Sequence, residues 1–184
     1  MPFALTVARR RGWASLPLRI SLAALLLIPL LPGPIARGAG QPPAHLVVSE
    51  IVTGGASASD ELIEIHNPTS APLPLEGLEV VYASASGATV SRRAAWELGA
   101  PSVPAGGHVL IANQDGLFAP IADATYASGI AAAGGSVAIR IIGASTPIDA
   151  AGWGSAAGTL VEGTPAPSPA ASGSIERLPG GAAG

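Results

Sequence analysis

Glycine and proline recur so often in this chain that apolar residues come only in short runs, and this punctuation constrains the fold most. The runs are residues 46–52, 61–66, 78–83, 109–113, 137–142 and 148–153, with a last one at 174–178. Between them lie TGGASAS, NPTSAPLP, VPAGG, AAAGG and GASTP, rich in the residues that make turns. Several runs alternate. Val137, Ile139 and Ile141 share one side with Ser136 and Arg140 on the other, and Leu78, Val80 and Tyr82 oppose Glu79. A period of two marks strands with one buried and one wet face. No stretch of the body carries a helical stripe, although PIADATYASGIAAAGG allows a turn or two. Many short strands with glycine- and proline-rich turns predict an all-β chain folded as a β-sandwich.

The length, 184 residues, suits one domain plus an appendage. The chain has no cysteine, which excludes a disulfide, a thiolate zinc site, a cysteine nucleophile and a lipid-modified N-terminal cysteine. All nine basic residues are arginine, and they divide unevenly. Residues 1–40 hold five of them and no acid, whereas residues 41–184 hold four arginines against 12 acids, a net of −8. A body that acidic repels phosphate backbones, which argues against nucleic acid as a direct partner.

Residues 1–40 read as an address. A basic stretch with Arg9, Arg10, Arg11 and Arg19 precedes the apolar run ISLAALLLIPLL, residues 20–31. As a helix, 12 residues reach about 18 Å, against about 30 Å of hydrocarbon in a bilayer. Pro29, Pro32 and Pro34 then break the helix, and small residues follow. This is the three-part layout of a secretory signal peptide cut near residues 38–40, with an uncleaved N-terminal anchor as the alternative. Arg10-Arg11 followed by Gly-Trp also hints at twin-arginine export. The expected result is a secreted or cell-surface protein that meets the membrane only transiently, through its signal peptide. Residues 41–45 read as a linker, 46–181 as the domain and 182–184 as a tail.

The densest reactive-looking stretch is DELIEIHNP, Asp60 to Pro68. On a strand, Glu61, Ile63 and Ile65 point one way and Asp60, Leu62, Glu64 and His66 the other. Ile63 and Ile65 then supply the core face, and Asn67-Pro68 ends the strand, because proline has no N–H for the ladder. The stretch therefore reads as a strand entering a turn.

No motif for catalysis emerges. There is no G-x-S-x-G elbow, and nothing places a serine together with His108 and Asp115. The acid pairs Asp60/Glu64 and Glu76/Glu79 lack the cleft that glycoside hydrolysis needs. His45, His66 and His108 fall on three separate segments without metal-ligand spacing, so no zinc site is expected. Asp60, Glu61 and Glu64 stand as candidate calcium donors, with Asp115 and Asp123 as further oxygen ligands, although no EF-hand loop is present. No cofactor is expected. Trp96 beside Arg92-Arg93 would anchor a partner if it lay exposed on a hairpin, and residues 162–173, EGTPAPSPAASG, read as an extended, mobile loop.

The order of motifs resembles the lamin tail domain, an immunoglobulin-like β-sandwich found in nuclear lamins and in exported bacterial proteins. VVSEI, DELIEIHNPTSAPLPLEGLEV, VPAGGHVLIAN, IDAAGWG and SIERLPGG carry the likeness over nearly all of residues 45–181. The resemblance implies that Glu50, Glu64 and Asn67 belong to the framework of the fold, with Arg177 in its closing motif and Trp153 packing near its edge. It also implies no activity of the domain's own. Family members usually continue past ER-x-P-G into an acidic segment, whereas this chain stops at LPGGAAG. Either that segment is lost or the chain is part of a longer protein. The edge matters, since seating Ile175 and Leu178 is worth about 3–6 kcal/mol.

Two functions remain open. One is an exported, non-catalytic module that binds an unidentified protein or cell-surface partner, with calcium-dependent adhesion as a variant. The other is the accessory domain of a secreted hydrolase of nuclease or phosphatase type, whose catalytic part lies outside this chain.

Overall fold

The computed structural model describes residues 43–178. The leader expected over residues 1–40 and the 182–184 tail lie outside the described residues, as do the first two residues of the linker. The described residues hold eleven strands: β1 Val47–Thr53, β2 Glu61–His66, β3 Leu73–Pro74, β4 Leu78–Ser84, β5 Val90–Ala95, β6 Ser102–Val103, β7 His108–Asn113, β8 Ala124–Tyr126, β9 Gly134–Ile141, β10 Asp149–Gly154 and β11 Ser174–Glu176. One 3-10 turn, Ala119–Ile121, sits in the alanine-rich stretch where the sequence allows a turn or two.

Five strands form one sheet in the order β11-β1-β2-β7-β8, and four form another in the order β10-β9-β4-β5. Pairing is antiparallel throughout these two sheets except between β7 and β8, which run parallel. β3 and β6 make a small separate pair. Alternation builds the core: Val48, Ile51, Ile63, Ile65 and Ile111 come from one sheet, and Val80, Tyr82, Val137, Ile139 and Trp153 meet them from the other. This is a β-sandwich, with inward side chains at alternate positions along the strands except where bulges shift the register.

Four strands escape the sequence reading, for local reasons. β3 and β6 are two residues each, β8 is three, and β5 reads VSRRAA, whose arginines conceal a strand. β1 also carries a bulge, with its register against β2 shifting between Val48 and Glu50.

Three expectations need correction. The face of β4 and β9 assigned to water is closed: Glu79 and Ser136 are each 1% exposed. Leu160 lies with Val81, Ala83, Ala138 and Ala150 in a second apolar cluster. Ile141, expected on the core face with Val137 and Ile139, is instead exposed at the end of β9. Leu178 is likewise exposed, so only Ile175 of the closing motif packs against the core.

The 162–173 segment has no strand of its own, but it is tied down rather than hanging free. Ala166 exchanges two backbone hydrogen bonds with β10, through Gly154 N at 2.8 Å and Gly152 O at 2.9 Å. Ser168 Oγ donates to Ala133 O at 3.0 Å.

Candidate functional site

Adjacent residues of DELIEIHNP are sent to three different places by strand alternation. Asp60 faces the loops at the strand's entrance, where its carboxylate accepts Ser57 N at 2.8 Å and Leu117 N at 2.9 Å. These backbone donors hold its pKa below the ordinary carboxylate value. Gly116 allows the close approach, because a Cβ there would collide with the Ser59 carbonyl. Glu61 turns inward and is buried, accepting Ile130 N at 2.7 Å, Asn113 Nδ2 at 2.9 Å and Tyr126 Oη–H at 3.2 Å. Glu64 stays on the outer face of the five-stranded sheet. The three proposed calcium donors therefore do not converge. Among the described residues, no group of three or more histidine, aspartate or glutamate side chains is set to hold a metal ion.

Arg93 completes the inner network around Glu61. It is 4% exposed, and its guanidinium carbon lies 4.9 Å from the ring centroids of both Tyr82 and Tyr126. Its Nη2 donates to Gly129 O at 2.9 Å and its Nη1 to Ser91 Oγ at 2.9 Å. Burial pulls the Arg93 pKa down, opposed by Tyr126, Glu61 and Tyr82. Burial likewise pushes the Tyr126 hydroxyl strongly up, and the neighbouring Glu61 carboxylate adds to the effect. Arg93 is thus enclosed between two tyrosines, and Trp96 packs partly buried against the core, so the condition for an anchor there, a Trp96 exposed on a hairpin, is not met.

A second buried carboxylate, Glu79, sits on the far side of the four-stranded sheet. Arg92 Nε reaches its Oε2 at 2.6 Å, Arg140 Nε its Oε1 at 2.8 Å, and Gly143 N the same Oε1 at 3.0 Å. Burial alone would raise its pKa, but the Gly143 N–H and the two guanidinium groups outweigh it and hold the carboxyl low. Glu79 lies just under the surface, since the Arg92 side chain is half exposed.

A third, Asp149, opens β10. It accepts Val48 N at 2.8 Å and both its oxygens face Arg177 Nη2 at 2.9 Å, while Arg177 Nε donates to Val48 O at 3.1 Å. Burial raises the Asp149 pKa, with the Val48 N–H and Arg177 pulling the other way. Arg177 thereby clips β10 to β1 beside β11.

Asn67 is fully buried where β2 ends. Its Nδ2 faces the carbonyls of Ala71, Val103 and Pro104 at 2.8–3.0 Å, and its Oδ1 accepts Thr69 N at 3.0 Å. Trp153 is also fully buried, on edge strand β10, with Nε1 donating to Ala131 O at 3.0 Å. The expectation that it packs near the edge holds for its strand but not for its side chain, which belongs to the core.

The outer face of the five-stranded sheet carries the remaining polar set. Glu50 lies opposite both Glu64 and Glu176. Glu64 Oε1 accepts Ser49 Oγ–H at 2.6 Å and lies 2.9 Å from His108 Nδ1. His66 and His108 are cross-strand partners whose rings stack with centroids 4.4 Å apart.

Two cavities open on the surface. One, of about 70 Å³, lies between β1, β11 and β10. The other, of about 220 Å³, is flanked by Arg140, Ser145, Thr159 and Leu160. Neither is lined by a histidine, so neither joins a hydroxyl nucleophile to an imidazole base.

A sandwich with its buried charges locked into strand-to-strand bonds matches the model of one known family, the lamin tail domain, over residues 39–155. The chain belongs to the lamin tail domain family. No curated protein matches the chain. The matched span of this lamin tail domain stops before β11, so Arg177 clips a strand beyond the match to residues within it. Glu50, Glu64, Asn67 and Trp153 all lie inside the matched span, and the last two are the most deeply buried of the four.

Glu79, Arg93 and Asp149 were missed as framework residues. For Glu79 a signal existed: 78–83 reads LEVVYA, nearly continuous apolar, as expected of a strand covered on both faces. For Arg93 and Asp149 no local pattern distinguishes them from surface charges.

Proposed function

We propose that this lamin tail domain is an exported, non-catalytic module that binds a protein partner or anchors at the cell surface. The observation that carries the reading is the fate of the buried acids. Both oxygens of Glu61, of Glu79 and of Asp149 are held by partners of the fold itself, and none of the three faces a cavity together with a nucleophile. A carboxylate whose two oxygens are both held by donors of the fold stabilises architecture and is not presented to a substrate for acid–base work. The basic, apolar and small-residue order of residues 1–40 supports export.

The test uses the full chain with a C-terminal epitope, expressed in a bacterial host. The epitope should reach the medium or be cleaved by protease added to intact cells, and deleting residues 20–31 should retain it inside. An epitope that stays protected in the cytoplasm with the leader intact overturns the export reading.

A further inference from the structure

We propose that His66 and His108 form a surface site for a divalent late-transition-metal ion, Cu2+ ahead of Zn2+, on the outer face of the five-stranded sheet. The two residues are 42 positions apart in sequence and directly opposite in the β2–β7 register. Their rings stack with centroids 4.4 Å apart and planes 27° from parallel.

The hydrogen bonds decide which nitrogen is available. His108 Nδ1 lies 2.9 Å from Glu64 Oε1, and His66 Nδ1 lies 3.3 Å from Gly107 O. A carboxylate and a backbone carbonyl only accept, so in each neutral imidazole the proton sits on Nδ1 and the lone pair on Nε2. Both rings are therefore held in the tautomer that ligates through Nε2. An imidazole whose other nitrogen donates to a carboxylate or a backbone carbonyl is the arrangement that surrounds metal-ligating histidines, because it fixes the ring and raises its basicity. Glu64 is itself fixed by Ser49 Oγ at 2.6 Å, so the support extends one layer further.

Reach and charge agree with this assignment. With metal–nitrogen bonds of about 2.0–2.1 Å, two imidazoles on one tetrahedral ion hold their nitrogens about 3.3 Å apart. The ring centroids stand 4.4 Å apart, a separation of the same order, and the His108 side chain is 46% exposed. Glu64, Glu50 and Glu176 form a row of opposed carboxylates across the same sheet and favour a cation nearby. Two imidazoles suit Cu2+, Ni2+ and Zn2+, whereas Ca2+ and Mg2+ prefer oxygen ligands. Water completes the coordination shell, since among the described residues no third protein ligand joins the pair.

The test is NMR of the full chain without a polyhistidine tag. In metal-free protein, ring 15N spectra should show both His66 and His108 protonated at Nδ1. Zn2+ should shift both Nε2 resonances saturably, Cu2+ should broaden the same rings at lower concentration, and Ca2+ should leave them unmoved. His66→Gln and His108→Gln should each remove the saturable response while His45→Gln keeps it, with dispersed amide resonances confirming that each variant is folded. Glu64→Ala, which keeps both rings but removes the acceptor on His108, should weaken Zn2+ binding about 10–100-fold. Either ring protonated at Nε2, a Zn2+ response that survives loss of both histidines, or no response at millimolar Zn2+ overturns the proposal.

Discussion

The outer faces of the two sheets begin from similar sequence and end in opposite conditions. On the five-stranded sheet, Glu50, Glu64, His66 and His108 keep contact with water. On the four-stranded sheet, the corresponding polar residues Glu79 and Ser136 are sealed, and Leu160 sits on a small apolar cluster of valine and alanines. The difference comes from the side chains of Arg92 and Arg140, which close over Glu79, and from the chain that follows β10, which brings Leu160 onto the same face. A carboxylate left in water is worth little to stability, whereas one enclosed beneath two guanidinium groups must keep its partners or become a buried, uncompensated charge.

The contrast is broken most directly by truncating one acid on each face. Glu79→Ala should cost about 3 kcal/mol in urea unfolding, the low end for breaking a buried pair because Arg92 keeps access to water. Glu64→Ala should stay within about 1 kcal/mol. Equal losses at the two positions would mean that the faces are equivalent.

Next in size is the cover itself. Leu160→Ala removes the largest side chain from the second cluster and should cost about 2 kcal/mol, read as a lower urea midpoint at unchanged slope. A cost near zero would show that the returning chain rests on the sheet without stabilising it.

The smallest expected effect is in the acid limb. The pKa of Glu79 is held low in the fold, so the unfolded chain takes up its proton at higher pH than the native state does. Its contribution is present above the ordinary carboxylate range and is lost as pH falls through the lowered folded value. Asp149, raised by burial, acts in the opposite sense: the native state takes up that proton first, which offsets part of the loss. Urea midpoints taken from about pH 6 to about pH 3 should fall less steeply in Glu79→Gln than in the wild type. A Glu79→Gln profile parallel to the wild type would place the acid sensitivity elsewhere.

Much of the architecture was legible because alternation is local. Ile63 and Ile65 face the core as the period of two requires, and Asn67 ends β2 where the turn signal lies. The sites were less legible, since each depends on strands far apart in sequence. His66 and His108 looked unrelated until β2 and β7 paired them. Arg92 and Arg93, neighbours on β5, divide between a half-exposed ion pair and the interior because consecutive strand residues point to opposite faces. Whether either face is dry depends on what covers it, and that information lies in other segments of the chain, from Arg92 on β5 to Leu160 beyond β10.

By itself, the order of apolar and polar residues dictated an all-β chain and which side chains share a face, because a strand's two sides are set by covalent geometry. Only the tertiary structure decided which faces exclude water, which acids gain two guanidinium partners and which histidines stack. Those outcomes follow from the free energy of burying surface and charge between segments that meet only once the sheets have formed.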